Sequence, residues 1–373
     1  MRVVTILFHR RKQVKLKKIF ILSAAVMLFV LLSGCSASAM RSNSWSGLSA
    51  DAEKAYLAKG TFVYAISLSN GSMAWRYPAE KADSKEAYFA NPVLSEDGQL
   101  IIASAGSNHS LSSLNPATGN LNWTFSDAEG VWIASPLVLG DTLYAPNTDG
   151  KLYALDLNGS FLWAKHIGGA LWAQPVSDGD FLYITSLDHH VYAFDLQKKE
   201  VTWNVDLGGA IPGALALDAE GKLYLGSFAS AIVSIDSQSQ NLAWETPTKG
   251  WIWDAPVLDA DTLYVGDLDG YFHSINTADG SENWDAFQPD GPVTGSPLVS
   301  KDFVVLGTES GTAYAIDNDG KIVWQQNVGE RLYTNPVQSG ELLLFAPTGI
   351  KIKIALVALD IEGRQVWQFT PEN

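Results

Sequence analysis

The sequence predicts an all-β protein, an eight-bladed β-propeller of four-stranded antiparallel sheets. A tryptophan recurs at Trp75, Trp123, Trp163, Trp203, Trp244, Trp284, Trp324 and Trp367, at intervals of 48, 40, 40, 41, 40, 40 and 43 residues. A period of that length, with four strands per unit, is the size of a propeller blade. The unit reads most clearly between Ser135 and Trp163. Residues 136–139 are apolar, 142–145 and 151–156 alternate, and a fourth strand runs through Trp163. Gly-Asp, Thr-Asp-Gly and Asn-Gly separate the four, and such pairs supply the positive φ of tight turns. A proline opens each unit from the second to the eighth: Pro92, Pro136, Pro175, Pro212, Pro256, Pro297 and Pro336.

Ahead of the repeats stands a processing segment. Arg10, Arg11, Lys12, Lys15, Lys17 and Lys18 precede an apolar run at 19–32 and the ending Leu32-Ser33-Gly34-Cys35. A basic region followed by a short apolar one reads as a secretory signal, and the run is short for a membrane span of about 20 residues. Its ending resembles the bacterial lipobox. Residues 1–34 are then the signal peptide, Cys35 the lipid site, and 35–44 a short tether. Ser36, where a retained protein would carry Asp, points to the outer membrane, or to the outer face of the plasma membrane in a single-membrane cell. Residues 1–34 hold seven of the 25 Lys+Arg and none of the 40 Asp+Glu, so cleavage leaves 18 against 40, a net charge of −22. Such a field excludes nucleic acid as a partner, and limits membrane contact to the anchor. Cys35 is the sole cysteine, so stability rests on packing rather than on disulfides.

Residues 45–373 form the propeller. In the first unit Gly47 takes the place of the opening proline, Tyr56 matches Tyr144, and Tyr64-Ala65-Ile66 matches Tyr153-Ala154-Leu155, which makes eight units. Second strands carry Leu143-Tyr144, Leu182-Tyr183, Leu223-Tyr224 and Leu263-Tyr264. Third strands read Tyr192-Ala193-Phe194-Asp195 and Tyr314-Ala315-Ile316-Asp317, where the small Ala lets the next sheet approach closely. The repeat tryptophan follows after a turn and belongs to the core between blades, since one indole can bury 150–250 Å². Residues 366–369 complete blade eight beside blade one, because an open ring would leave two sheet edges unpaired.

The ending Ala-x-Asp-x-x-x-Gly-x-x-x-Trp resembles the tryptophan-docking repeat of the PQQ-type, or quinoprotein-like, β-propellers. It stands here as Leu114…Gly119…Trp123, Ala193-Phe194-Asp195…Trp203 and Ile275-Asn276…Gly280…Trp284, and the resemblance covers residues 45–369. Among lipid-anchored members the chain resembles the BamB-like lipoproteins, which implies a scaffold in outer-membrane protein assembly. The quinoprotein enzymes imply a vicinal disulfide over the cofactor and a Ca²⁺ held by Glu, Asn and Asp. One cysteine cannot supply the disulfide. Asp267-Leu268-Asp269-Gly270 has a calcium-like look but lacks the distal ligands of a full loop, and reads as a turn. His189-His190 sit on a hairpin and point to opposite faces. No catalytic, metal or cofactor residue is therefore expected.

The aromatic surplus is the candidate site. Tyr88, Phe89, Trp132, Trp172, Trp251, Trp253 and Tyr333 lie shortly before the opening prolines, with Asp254 and Arg331 among them, and Trp45 holds the corresponding place in blade one. These connections all emerge at one end of the barrel near the axis. Partly exposed there, Trp132, Trp172 and Trp253 would ring the axial opening as a binding funnel. The expected partner is an envelope protein, a peptide or a glycan, held by one monomeric propeller through this face and its exposed blade edges. The alternative is a quinone- or metal-dependent redox enzyme with its site in the axial channel.

Overall fold

A computed structural model describes residues 45–351 and 353–372. The signal segment, Cys35 and the tether lie outside the described residues. Statements of absence below refer to the described residues alone.

Eight antiparallel sheets follow one another along the chain, each a meander of consecutive strands. Blade three sets the pattern, with strands Leu137–Leu139, Thr142–Pro146, Lys151–Asp156 and Phe161–His166 from the inside outward. The innermost strands are two to four residues long, and those of adjacent blades meet, as Val176–Ser177 meets Ala216–Leu217 and Gly47–Ala50 meets Val337–Ser339. They line the axis. Second and third strands are buried on both faces, which is why they read as unbroken apolar runs. The outermost strand has one side in water, and Phe161, Leu162, Leu242, Ile322 and Val323 are exposed along it.

Each repeat tryptophan docks onto the following blade. Opposite it in its own sheet stands the small residue of the third strand, Ala154 against Trp163 and Ala193 against Trp203. Beyond its free face lies the next blade's third turn, where a glycine stands against Trp75, Trp123, Trp244, Trp284, Trp324 and Trp367, while Lys199 and Gln240, both at positive φ, take that place after Trp163 and Trp203. A Cβ at Gly119 would come within 2.6 Å of the Trp75 ring, and one at Gly363 within 2.6 Å of Trp324. The indole N–H then donates into the same turn, from Trp75 to the Pro116 carbonyl (3.0 Å), Trp123 to Leu157 (2.9 Å), Trp244 to Thr277 (2.9 Å) and Trp324 to Ile361 (2.9 Å). Glycine is required twice over, for the close approach and for φ between +73° and +81° at these two positions.

The ring closes by the same contact. Trp367 on Gln365–Phe369 donates to the Leu68 carbonyl of blade one at 2.8 Å and packs on Gly71. On the axial side Thr334 Oγ1 donates to the Ser46 carbonyl at 2.6 Å and accepts from Ser46 N–H at 3.2 Å. Leu48, Leu57, Ile66, Leu344, Leu356 and Trp367 share one core cluster, so blades one and eight bury each other. No blade borrows a strand from another.

Three expectations need correction. Pro212 does not open blade five. Ala216 pairs with Tyr224 as Val257 pairs with Tyr264, so Leu215 stands where Pro256 does and Pro212 lies three residues earlier. In blade one Ser49 pairs with Tyr56, which puts Leu48, not Gly47, at the opening position. Blade six has three regular strands, Val257–Asp259, Thr262–Gly266 and Phe272–Asn276. Its outer edge is reduced to the bridges Ile275 to Glu282 and Phe272 to Phe287. Ser281, Asn283 and Asp285 are poor strand formers, and the five steps from Glu282 to Phe287 face three on the partner strand, so two residues bulge out.

Candidate functional site: the end of the axial channel

The connections that carry the surplus aromatics are clamped at both sides by one repeating hydrogen-bond pattern. Counting back from the opening position, the N–H at −4 donates to the preceding blade: Trp132 to Ser104, Leu171 to Asn147, Ile211 to Ser186, Ile252 to Ser227, Val293 to Asp267 and Leu332 to Thr308. The carbonyl at −5 accepts from the second turn of its own blade, as Val131 does from Thr148, Trp251 from Leu268 and Arg331 from Thr348. With the backbone held on both sides, the side chain at −4 is driven between two blades and its neighbour at −3 is turned away from them.

The aromatics therefore separate into two sets. Position −4 is closed: Trp132 is 0 % exposed and Tyr88 5 %, and Leu171, Ile211, Ile252, Val293 and Leu332 are buried with them. Trp132 donates its N–H to the His109 carbonyl at 2.7 Å and stands edge-on to Tyr153. Trp132 and Tyr88 are thus lids, and the expectation that Trp132 lines a funnel is overturned. Six of the eight residues at −3 are half-open, Trp45, Phe89, Ile133, Trp172, Trp253 and Tyr333, while Pro212 and Thr294 are buried. A one-residue shift in distance from the proline carried this distinction in the sequence, obscured in blade five by Pro212.

Two clusters gather on this rim. Trp45 and Phe89 meet at 5.3 Å between ring centroids. Trp251, 52 % exposed, stacks on Phe228 at 4.8 Å, and Trp253 meets the same ring at 5.6 Å. Phe228 was missed by the sequence reading because it sits in the second turn of blade five, away from any proline. Arg331 is exposed and donates to the Tyr333 hydroxyl at 2.9 Å. The acidic turn residues nearby are structural. Asp149 accepts from the Tyr153 hydroxyl at 2.6 Å and Asp188 from Tyr192 at 2.8 Å, and each closes its own turn by accepting from Lys151 N–H and His190 N–H respectively.

Positions −2 and −1 form a polar hoop around the axis that ties inner strands together. Leu48 N–H donates to Asn91 Oδ1 (3.0 Å), Ser135 Oγ to the Asn91 carbonyl (3.0 Å), Gln174 Nε2 to the Pro136 carbonyl (2.7 Å) and Ser296 N–H to Asn335 Oδ1 (2.9 Å). Position −2 is otherwise Ser46, Ala90, Ala134, Ala173, Gly213, Gly295 and Thr334; Asp254 is its single charged member. Its Oδ1 accepts from Ala255 N–H at 2.8 Å and Oδ2 from Ser296 N–H at 3.4 Å, with the Asn335 and Ser296 side chains beside the carboxylate. The carboxylate touches solvent through the channel yet is walled by protein, and that burial raises its pKa, with the Ala255, Asn335 and Ser296 hydrogen bonds opposing.

Blade six holds a second charged group beside its second turn. His273 stands where Tyr64, Tyr153, Tyr192 and Tyr314 stand in their third strands, and lies between Asp267 (Nε2 to Oδ2, 3.4 Å) and Glu282 (Nδ1 to Oε1, 2.9 Å). Asp267 is fully buried and also accepts from Tyr271 N–H (2.8 Å) and Gly250 N–H (3.0 Å), so its stretch is a braced turn. Burial pushes the His273 pKa down, but the two carboxylates outweigh it and the net shift is upward.

With the geometry in view, the relatives can be placed. A family model described as outer membrane protein assembly factor BamB matches residues 36–211, 187–339 and 288–373. The chain belongs to the BamB family. It is similar to the outer membrane protein assembly factor BamB of Yersinia pestis, 26% identical over 287 residues, which are 72% of this chain and 70% of that protein. The crystal structure of BamB from Moraxella catarrhalis superposes with a TM-score of 0.66 at 19% identity, over 80% of this chain and 89% of that one. A europium-containing methanol dehydrogenase superposes with 0.65 at 15% identity, over 83% and 85%. At those identities the two structures share the fold alone.

The quinoprotein donor set does not fit this BamB-family chain. One cysteine makes no vicinal disulfide. No three His, Cys, Asp or Glu side chains come together as metal ligands among the described residues, and Asp254 has amides and hydroxyls around it rather than a second carboxylate. No described helix is long and apolar enough to cross a membrane.

Proposed function

We propose that the protein is a non-catalytic scaffold in outer-membrane protein assembly, tethered through a lipid on Cys35 and binding its protein partner with the aromatic end of the propeller. Family membership supports the assembly role, in the terms of the name its relatives carry. The observation that supports the binding end is the half-open aromatic register at −3 with Trp251 beside it. Rings held by a clamped backbone yet open to water on one face are the anchors protein interfaces use. The opposite end has only short turns such as Asn158-Gly159 and Asp319-Gly320.

The test is replacement of the native copy in a cell that assembles outer-membrane β-barrels, scoring folded barrels by their heat-modifiable migration. The chain should support assembly, Trp251→Ala with Trp253→Ala should lower it, and Leu162→Ser on an outer strand should leave it unchanged. Normal assembly with the double variant, and loss with Leu162→Ser, would move the partner surface to the blade edges. Cys35→Ala should abolish incorporation of a labelled lipid precursor, and persistent labelling would remove the anchor.

A further inference from the structure

Asp254 is the feature of the axial hoop that ring closure does not explain. Its blade-six side chain reaches Asn335 of blade eight, across blade seven. Two blades that are not neighbours can meet only inside the ring, so this carboxylate lines the channel. Room for it comes from missing side chains. A Cβ at Gly213 would stand 2.5 Å from the Asp254 Cα, and one at Gly295 would crowd Asn335 Oδ1 at 2.9 Å. The notch is polar and incompletely satisfied. Ser296 Oγ is buried beside the carboxylate and forms no hydrogen bond of proper geometry, and Asp254 Oδ2 shares a 3.4 Å donor already committed to Asn335.

No cation answers this charge. No described Lys, Arg or His pairs with Asp254. Lys59, from the second strand of blade one, reaches Ser46 of the hoop but donates to the Pro347 carbonyl (2.9 Å) and Ser46 Oγ (3.4 Å). Trp253, one of the half-open rings of the −3 register, precedes Asp254 in the chain and meets Phe228 at 5.6 Å between ring centroids. A walled carboxylate next to half-open aromatic rings is an arrangement suited to an organic cation, by charge and by cation–π attraction together.

We propose that the axial notch at Asp254, Ser296 and Asn335 receives the ammonium or guanidinium group of a lysine or arginine side chain, presented by an extended segment of the protein partner that lies across the aromatic rim. The assignment rests on the reading of that rim as the partner surface. A chain that is net negative suits a cationic anchor, and the salt link supplies the register that stacking by itself leaves loose.

The experiment uses a capped hexapeptide of alternating aromatic and serine residues with one central lysine, and its twin with norleucine in place of the lysine. Binding to the whole protein is followed by calorimetry. The lysine peptide should bind about tenfold more tightly than the norleucine peptide. Asp254→Asn should erase that difference while leaving the norleucine peptide's affinity unchanged; Trp253→Ala should weaken both. The peptide-side change does not touch the fold, so the comparison holds even if Asp254→Asn is unstable. Equal affinity of the two peptides, both weakened by Trp253→Ala, overturns the cation site and leaves the aromatic rim standing. Failure of both peptides to bind overturns both readings. Calcium alone binding the wild type but not Asp254→Asn makes the notch a metal site and also overturns the proposal.

Discussion

At the scale of single residues, position in the clamp decides what an aromatic does. Trp132 and Trp253 differ by one place relative to the opening proline, and one is sealed while the other is half-open. Truncating the sealed ring leaves a cavity its clamped neighbours cannot collapse into, so Trp132→Ala should cost about 3–5 kcal/mol. Trp253→Ala opens no closed cavity and should cost clearly less, measured as urea midpoints at constant slope. Similar losses for the two would mean that the −3 register is packed rather than presented. His273 offers a pH test. Its folded pKa is raised above the unfolded value, so its contribution to stability is complete below the unfolded pKa and is lost as pH rises through the folded one. Asp267, with its pKa lowered, acts oppositely and loses its contribution in acid. The thermal midpoint should therefore decline as pH rises from about 6.5, and His273→Gln should flatten that limb. An unchanged limb in the variant would show that His273 does not carry it.

At the scale of elements, blade six is the weak unit. Its outer edge keeps two isolated bridges where the other blades pair four to six residues, and the Trp284 indole N–H lacks the partner that Trp244 and Trp324 find. Local opening follows local bonding. Amide hydrogens at 281–287 should exchange much faster than those of Glu200–Asp206 or Asn241–Pro247, by mass-resolved exchange. Equal protection would mean that this edge is held by contacts other than the ladder. The bracing of His273 by Glu282 is then what keeps the edge in place.

At the scale of the whole molecule, stability depends on closure. Trp367 and Gly71 make the last joint of the same kind as those at Trp75, Trp123, Trp244 and Trp324, and Thr334 with Ser46 ties its axial side. Chains that end before Gln365 would expose the third strand of blade eight and the docking face of blade one together, two open edges with apolar surface. Deletion of 365–373 should abolish the cooperative thermal transition or yield aggregates, read by light scattering. A soluble protein with an unchanged midpoint would mean that closure adds nothing to the fold.

Much of this was legible before any coordinates. The 40-residue period, the turn glycines and the small residue opposite each tryptophan determine the blade, because each is a local requirement: a positive φ, a close approach, an alternation of faces. They also determine the number of blades and the residues that seal adjacent ones. Trp132 shows where such reading stops. Its distance from Pro136 says that it lies at the rim, but which side of the backbone it takes is set by hydrogen bonds to Ser104 and His109, residues of another blade. Asp254 shows the same limit from the other side. As a sequence letter it is one more turn acid beside a tryptophan; it becomes an unpaired axial carboxylate only because blades five, seven and eight put two glycines and an amide around it. Local chemistry repeats along the chain and can be read from it, whereas the environment of a side chain at the axis is made by residues that meet only when the ring is closed.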